Sequence, residues 1–262
     1  MKPGRLRTIG LPAAVGVTFI ALWYFVSLVV LPERRRFILP PPHEVIRVAF
    51  LDPENFAELL GPLGVTARVA LTGLLIATVI GLAIAMLMSQ AKWVETAIYP
   101  YAVALQSIPI LALVPLIAFA LGYGFGSRIL VVVLISLFPI ITNTLFGLQS
   151  TSSLMEDLFT LKRASRLTRL MRLQVPAALP AIFAGLRISA GMAVVGSIVA
   201  DFFFRRGEAG IGLQIDTYRN LLDGEMLYGT IILASLLGLV TFWAFGWLST
   251  LVVGSWYRPR KR

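Results

Sequence analysis

The sequence predicts an all-α membrane protein with six transmembrane helices, and three observations carry that prediction. Of its 262 residues, 58% are hydrophobic and 14% are charged, against about 25% charged in a soluble domain. Mean hydropathy is +0.85. The apolar surplus comes in blocks: charge-free runs occupy 8–31, 69–91, 96–127, 129–155 and 226–257, each longer than the ~20 residues that span a hydrocarbon core. A shorter run at 188–200 reaches spanning length with a helix that begins near Ala177 and takes in Arg187. One transmembrane domain over 1–262 follows, with spans near 8–31, 66–90, 96–121, 128–149, 177–200 and 226–255.

The first run is read as a retained span. Its apolar stretch exceeds the roughly 7–15 residues of a cleavable leader, and no small-x-small site precedes Glu33-Arg34-Arg35-Arg36. Residues 33–62 then form an outside segment. Its Pro40-Pro41-Pro42 run is a stiff entry, followed by apolar positions that suggest a short interfacial helix. A second outside segment, 201–225, carries glycine-punctuated GEAGIGLQI. Pro100, Pro109, Pro115 and Pro139 fall in the third and fourth spans, where each can bend a helix.

With six spans both termini share a side. That side collects thirteen basic residues: Lys2, Arg5, Arg7, Lys92, five between 162 and 172, and Arg258, Arg260, Lys261 and Arg262. The opposite side has nine: Arg34, Arg35, Arg36, Arg47, Arg68, Arg128, Arg205, Arg206 and Arg219. Positive residues stay inside, so both termini are expected in the cytoplasm. The formal charge of +10 is then accounted for by orientation and anionic headgroups rather than by nucleic acid.

Several chemistries are excluded. With no cysteine, neither disulfides nor thiolate metal sites arise. No paired acids, metal-ligand cluster, HExxH, GxSxG or phosphate-cradling GxxxxGK[ST] occurs. Arg187 is the clear charge within a span and sits where snorkelling towards headgroups explains it; Asp201 closes the fifth span, and His43 lies outside. No catalytic residue, metal or cofactor is expected, and the driving energy must come from a bound partner.

The densest charge stands between two apolar segments. In MEDLFTLKRASRLTRLMRLQ (155–174), Lys162, Arg163, Arg166, Arg169 and Arg172 follow Glu156 and Asp157, an order that complements a helix dipole. Leu158, Leu161, Leu167, Leu170 and Met171 recur at spacings of three and four. No proline or glycine interrupts the run, so one continuous helix is expected, with Pro176 and Pro180 separating it from the fifth span. Either it rests on anionic headgroups or its apolar side docks into a partner protein.

Its spacing resembles the cytoplasmic motif of permease subunits of ATP-binding-cassette importers: an acid, two alanines, three residues, a glycine, nine residues and Ile-x-Leu-Pro. Asp157 takes the acid position, Arg163 the glycine position, and Leu173-Gln174-Val175-Pro176 the end of the motif. Leu158 and Phe159 replace the two small residues. ASRLTRLMRLQVPAALPAIFAGLRISAG (164–191), LPPPHEV (39–45), SIPILALVPLIAFALGYG (107–124) and FPIITNTLFGLQS (138–150) are similar to the nitrate/sulfonate/taurine branch.

The resemblance implies a type I importer permease fold that couples through 151–175 to a cytoplasmic ATPase dimer, which binds the ATP. It implies a second permease subunit (homodimer or heterodimer) and an extracytoplasmic solute-binding protein. The coupling residues would be Asp157, Leu161, Arg163, Ala164, Ser165, Arg166, Arg169 and Pro176. The third to sixth spans would line the path, with Gln106, Ser107, Ser136, Asn143, Ser189 and Ser197 as solute contacts. The solute would be a small anion or organic molecule, sulfonate-, nitrate-, taurine- or vitamin-precursor-like. A secondary transporter, or a membrane scaffold without an ATPase, is the alternative; the first would show inverted repeats, and none is visible.

Overall fold

A computed structural model describes residues 10–204 and 207–254. The calls on Lys2, Arg5, Arg7, Arg205, Arg206 and Arg258–Arg262 lie outside the described residues. Within them the chain forms α1 (Leu11–Phe25, prolonged by a wider turn to Val30), a 3-10 turn at Glu33–Ile38, α2 (Pro42–Ile46), α3 (Pro53–Ser89), α4 (Lys92–Ser107) and α5 (Ile110–Leu121). These are followed by α6 (Phe125–Gln149), α7 (Ser153–Leu161), α8 (Arg166–Arg169), α9 (Val175–Phe203), α10 (Ile211–Leu221) and α11 (Gly224–Val253). Among the described residues five stretches are long and apolar enough to cross a membrane, or six where the bent pair α4–α5 counts as one span.

The centre is a sandwich of α3, α6 and α9. Val69, Leu74 and Ala77 of α3 meet Val132 and Ile140 of α6, and Ile182, Leu186 and Ala190 of α9. Lipid is as apolar as leucine, so close approach rather than water exclusion holds such helices together. A methyl on Gly185 would come within 2.8 Å of the Pro139 carbonyl oxygen; the missing Cβ lets α9 lie against the α6 backbone. The first helix is different. Only 6% of its most apolar window is buried, and Trp23 Nε1 donating to the Pro40 carbonyl at 2.9 Å ties its far end down.

The second span is longer than the sequence suggested. Asp52 caps α3 by accepting from Glu54 N at 3.0 Å and Asn55 N at 3.3 Å, and Pro62 is absorbed inside the helix. Residues 53–62 of the expected outside segment are therefore helical and continuous with the rest of α3.

Of the prolines flagged in the third and fourth spans, Pro109 makes the break. It follows an extended Ile108 (φ −73°, ψ 126°), the conformation a following proline imposes, and α4 and α5 meet at 96°. Pro100, Pro115 and Pro139 stay inside helices. The pair still crosses the bundle. Glu95 at its start accepts from Gln149 Nε2, at the last residue of α6, at 2.8 Å, while Tyr123 past its end packs edge-on against Phe204, whose ring lies 6.3 Å away at the opposite end.

Candidate functional site

At the Gln149 end the basic segment is an elbow, not a continuous helix. The expectation of one helix over 155–174 fails at Arg163, which adopts φ +49°. The helix closes as a Schellman motif: Arg163 N donates to Thr160 O at 2.9 Å and Ala164 N to Phe159 O at 3.0 Å. Ser165 then caps the next helix by accepting from Thr168 N at 3.2 Å. Helix-forming neighbours lost to this pair of caps, and the left-handed residue costs about 1–2 kcal/mol in an L-amino acid other than glycine. The readable signal was Ser165, a capping residue three places before Thr168.

The proline expectation is corrected with it. Pro176 and Pro180 do not separate the elbow from the fifth span: helix runs from Arg166 to Phe203 without interruption. A wide turn at Leu170–Gln174 and the position of Pro176 in the first turn of α9 accommodate the missing N–H groups. Leu170 and Leu173 are buried, so this arm is rooted in the core.

Polar contacts hold the two arms together. Arg169 Nη2 donates to Thr160 Oγ1 at 2.9 Å, and its Nη1 lies 4.0 Å from Glu156 Oε2. Thr151 Oγ1 donates to the other Glu156 oxygen at 2.5 Å. What remains bare is apolar: Leu154 is 80% exposed, Leu161 82% and Leu167 65%. Arg163, Ser165 and Arg166 are exposed around them, Ala164 and Arg169 half-buried. Asp157 is exposed and borders a cleft of about 470 Å³ with Ser89, Gln149 and Gln174.

The polar residues proposed to line a path separate into two sets. Gln106 and Ser107 are exposed at the α4–α5 break, Ser107 Oγ donating back to Val103 O at 3.1 Å. Ser136, Ser189 and Ser197 are completely buried. Ser189 Oγ donates to Ser136 O at 2.7 Å and Ser197 Oγ to Thr66 O at 3.2 Å, each joining two helices. Asn143 is half-buried and donates to Pro139 O at 2.8 Å.

A site that sequence reasoning missed lies at the other end. Arg128, counted as an outside loop residue, is 3% exposed; Asp201 is wholly buried. Arg128 Nη1 lies 3.0 Å from Asp201 Oδ1, and the guanidinium also donates to Glu208 O at 2.8 Å and Phe204 O at 2.6 Å. Asp201 Oδ2 accepts from Thr66 Oγ1 at 3.2 Å and Gly212 N at 3.3 Å. Glycine is required in GEAGIG, because a Cβ on Gly210 or Gly212 would collide with Asp201 or with the Ile198 carbonyl. Beside this knot, Tyr123, Phe125, Gly207 and Glu208 border a cavity of about 490 Å³. On α10, burial and then the hydrogen bond to Glu58 push the Tyr218 hydroxyl up to about 12.

Among the described residues no group of acids and histidines is placed to hold a metal. What the arrangement provides is a helical bundle with an apolar, cationic elbow at one end and a pinned loop at the other.

Comparison with known proteins agrees with this architecture. Residues 77–253 match the family described as "binding-protein-dependent transport system inner membrane component". The chain is 33% identical over 218 residues to the formylaminopyrimidine transport permease of Halalkalibacterium halodurans, covering 83% of this chain and 85% of that one. It is 30% identical over 225 residues to a nitrate import permease of a Synechocystis strain, covering 82% and 80%. Among solved structures, an amino acid ABC transporter crystallised with histidines shares the fold at 17% identity with a TM-score of 0.58, covering 79% of this chain and 98% of that one. The chain thus belongs to the inner membrane components of binding-protein-dependent transport systems: it is a non-catalytic, multi-pass permease subunit of an ATP-binding-cassette importer.

Proposed function

We propose that the elbow Ser153–Gln174 is the surface on which the cytoplasmic ATPase seats, and that the Gln149 end of the bundle faces the cytoplasm with both termini. The observation that carries this reading is the exposure of Leu154, Leu161 and Leu167 beside Lys162, Arg163 and Arg166. Leucines on a polar elbow gain by entering a groove, at about 25 cal/mol per Å² removed from water, and the arginines around them match acidic groove walls. The arm rooted by Leu170 and Leu173 would carry motion of the ATPase into α9. Asp157, Ala164, Ser165 and Arg169 shape the elbow, and Pro176 sits where it enters the span.

One permease domain pairs with a second permease, a copy of itself in the simplest case. A solute-binding protein delivers cargo to the end that carries Arg128 and Asp201. Gln106 and Ser107, exposed at the broken third span, line the path with Asn143; the buried Ser136, Ser189 and Ser197 hold helices in register beside it. The solute is a small anion or a small organic molecule, in line with the nitrate and formylaminopyrimidine named for the relatives.

A double substitution tests this reading. Leu154→Asp with Leu161→Asp changes exposed positions alone, so membrane insertion should persist while co-purification of the ATPase is lost. Undiminished co-purification would place the docking surface elsewhere.

A further inference from the structure

Arg34, Arg35 and Arg36 are consecutive on the side expected to be poor in positive charge, and neither the elbow nor the Arg128–Asp201 knot uses them. Among the described residues Arg34 and Arg35 are exposed and have no ion-pair partner. Arg36 is half-buried: its Nη1 donates to Glu33 Oε1 at a long 3.4 Å, and its Nε is buried without a hydrogen bond. The turn that carries them is fixed to the bundle. Leu39 N donates to Arg36 O at 3.1 Å, and the Phe37 carbonyl lies so close to Gly224, the first residue of α11, that a Cβ there would collide with it. Trp23 of α1 donates to Pro40 O at 2.9 Å and packs against Tyr228 of α11, ring to ring at 5.5 Å; Tyr24 stacks on His43 at 5.7 Å. The arginines are thus displayed on an anchored turn.

Beside that turn α1 stands clear of the bundle. Phe19, Ile20, Leu22, Trp23 and Val26 form with Leu39 an apolar groove of about 500 Å³, and Phe19 is 70% exposed. Leu39 and Arg36 are joined within one 3-10 turn, so the apolar groove and its cationic rim are continuous. From Phe19 to Val26 the groove follows α1 for roughly 10 Å at about 1.5 Å per residue, a length suited to part of an acyl chain. Arginine forks match phosphate oxygens in bidentate fashion, and three arginines against Glu33 leave the turn cationic. A zwitterionic headgroup would bring its ammonium to the same cations, whereas an anionic one would not. A second copy of this chain suits the site less. In a dimer of equally oriented chains, α1 against α1 would set the two arginine turns side by side.

We propose that groove and turn together bind one anionic phospholipid of the phosphatidylglycerol class, with an acyl chain along α1 and the phosphate at Arg34–Arg36. The site needs only the bilayer interface, so it stands independently of which end meets the ATPase.

Native mass spectrometry of the full chain, titrated in detergent with phosphatidylglycerol or phosphatidylcholine of identical acyl chains, tests the site. Phosphatidylglycerol should bind more than about tenfold tighter, each arginine contributing roughly fivefold. Arg34→Gln with Arg35→Gln and Arg36→Gln should bring it down to the phosphatidylcholine level. Ile20→Trp, which fills the groove and keeps the arginines, should weaken both lipids. Glycerophosphoglycerol, the headgroup without chains, should not displace the lipid. Equal affinity for the two lipids, a preference that the triple variant keeps, or binding that Ile20→Trp leaves unaltered overturns the proposal. Displacement by glycerophosphoglycerol would make this a site for a soluble phosphate and overturn it. So would the joining of two chains by a bifunctional thiol reagent in Ile20→Cys, whose thiol is the only one in the chain, because the groove would then belong to a second copy. Melting in lipid-free detergent reports whether the variants fold. Where the triple variant melts early, the unaltered chain decides: its preference must fall as rising ammonium acetate screens the arginines, and a salt-independent preference overturns the site.

Discussion

Arg128 and Asp201 form a buried ion pair, Nη1 to Oδ1 at 3.0 Å, with both side chains at most 4% exposed. The pair joins α6 to the end of α9. Through Thr66 and Gly212 it also fastens α3 and the start of α10 to the same point. Breaking such a pair from one side costs more than the pair contributes, because the orphaned charge stays buried.

Asp201→Ala should therefore destabilise the protein by about 3–5 kcal/mol, read as a loss of thermal stability in detergent. Replacing both partners, Arg128→Met with Asp201→Leu, should recover part of that loss, since no charge is then stranded. A double variant as unstable as the single would mean that the hydrogen bonds to Phe204, Glu208 and Gly212, not the charge, hold the loop before α10.

Arg163 is predicted to accept glycine. Its φ of +49° costs about 1–2 kcal/mol for an L-residue, and glycine returns about 0.5–1 kcal/mol of that as unfolded-chain entropy. Arg163→Gly should thus gain up to about 1 kcal/mol, seen as slower amide exchange at Phe159–Thr168, with ATPase stimulation by the loaded binding protein preserved. Arg163→Ala should be less stable than the glycine variant, because both lose the charge and alanine alone keeps the left-handed strain. Faster exchange in the glycine variant would contradict the left-handed turn.

The Tyr218 hydroxyl gives a pH dependence at the α10 end of the bundle. Its folded value is raised from 10.0 to about 12, so its contribution to stability is complete below pH 10. The unfolded phenol ionises first, and stability is lost as pH climbs from 10 towards 12. Tyrosinate absorbance in a Tyr218→Phe comparison should show one phenol titrating late. Loss of α10 protection across that window should be weaker in the variant, which has no phenol to ionise. An unchanged alkaline profile would detach Tyr218 from Glu58.

The spans were legible in the sequence because hydrocarbon thickness writes itself as uninterrupted apolar length. Less legible were the places where a local choice competes with that length. Arg163 sits among helix formers, yet a Schellman closure and the Ser165 cap outweigh propensity there. Pro109 and Pro176 carry the same backbone restriction with opposite results. Extended Ile108 leaves Pro109 to turn the chain by 96°, whereas the wide turn before Pro176 lets the helix pass. Arg128 and Asp201 were read as loop and helix-end charges because nothing in one dimension reveals that they meet. The glycines of GEAGIG were the trace of that meeting, since a loop that packs on a buried carboxylate has no room for Cβ. Arg187 was visible as a charge in a span, but the Phe242 ring 3.9 Å from its guanidinium was not.

Single-cysteine cross-linking asks whether the ATPase binds at the elbow. In the otherwise cysteine-free chain, Leu161→Cys and Asp52→Cys stand on exposed residues of α7 and of the opposite end. With a short bifunctional thiol reagent and the assembled complex, Leu161→Cys should join the ATPase, with a yield that changes between nucleotide-free and ATP-bound states, and Asp52→Cys should not. Cross-links to the ATPase from Asp52→Cys and none from Leu161→Cys would reverse the orientation and remove the docking surface.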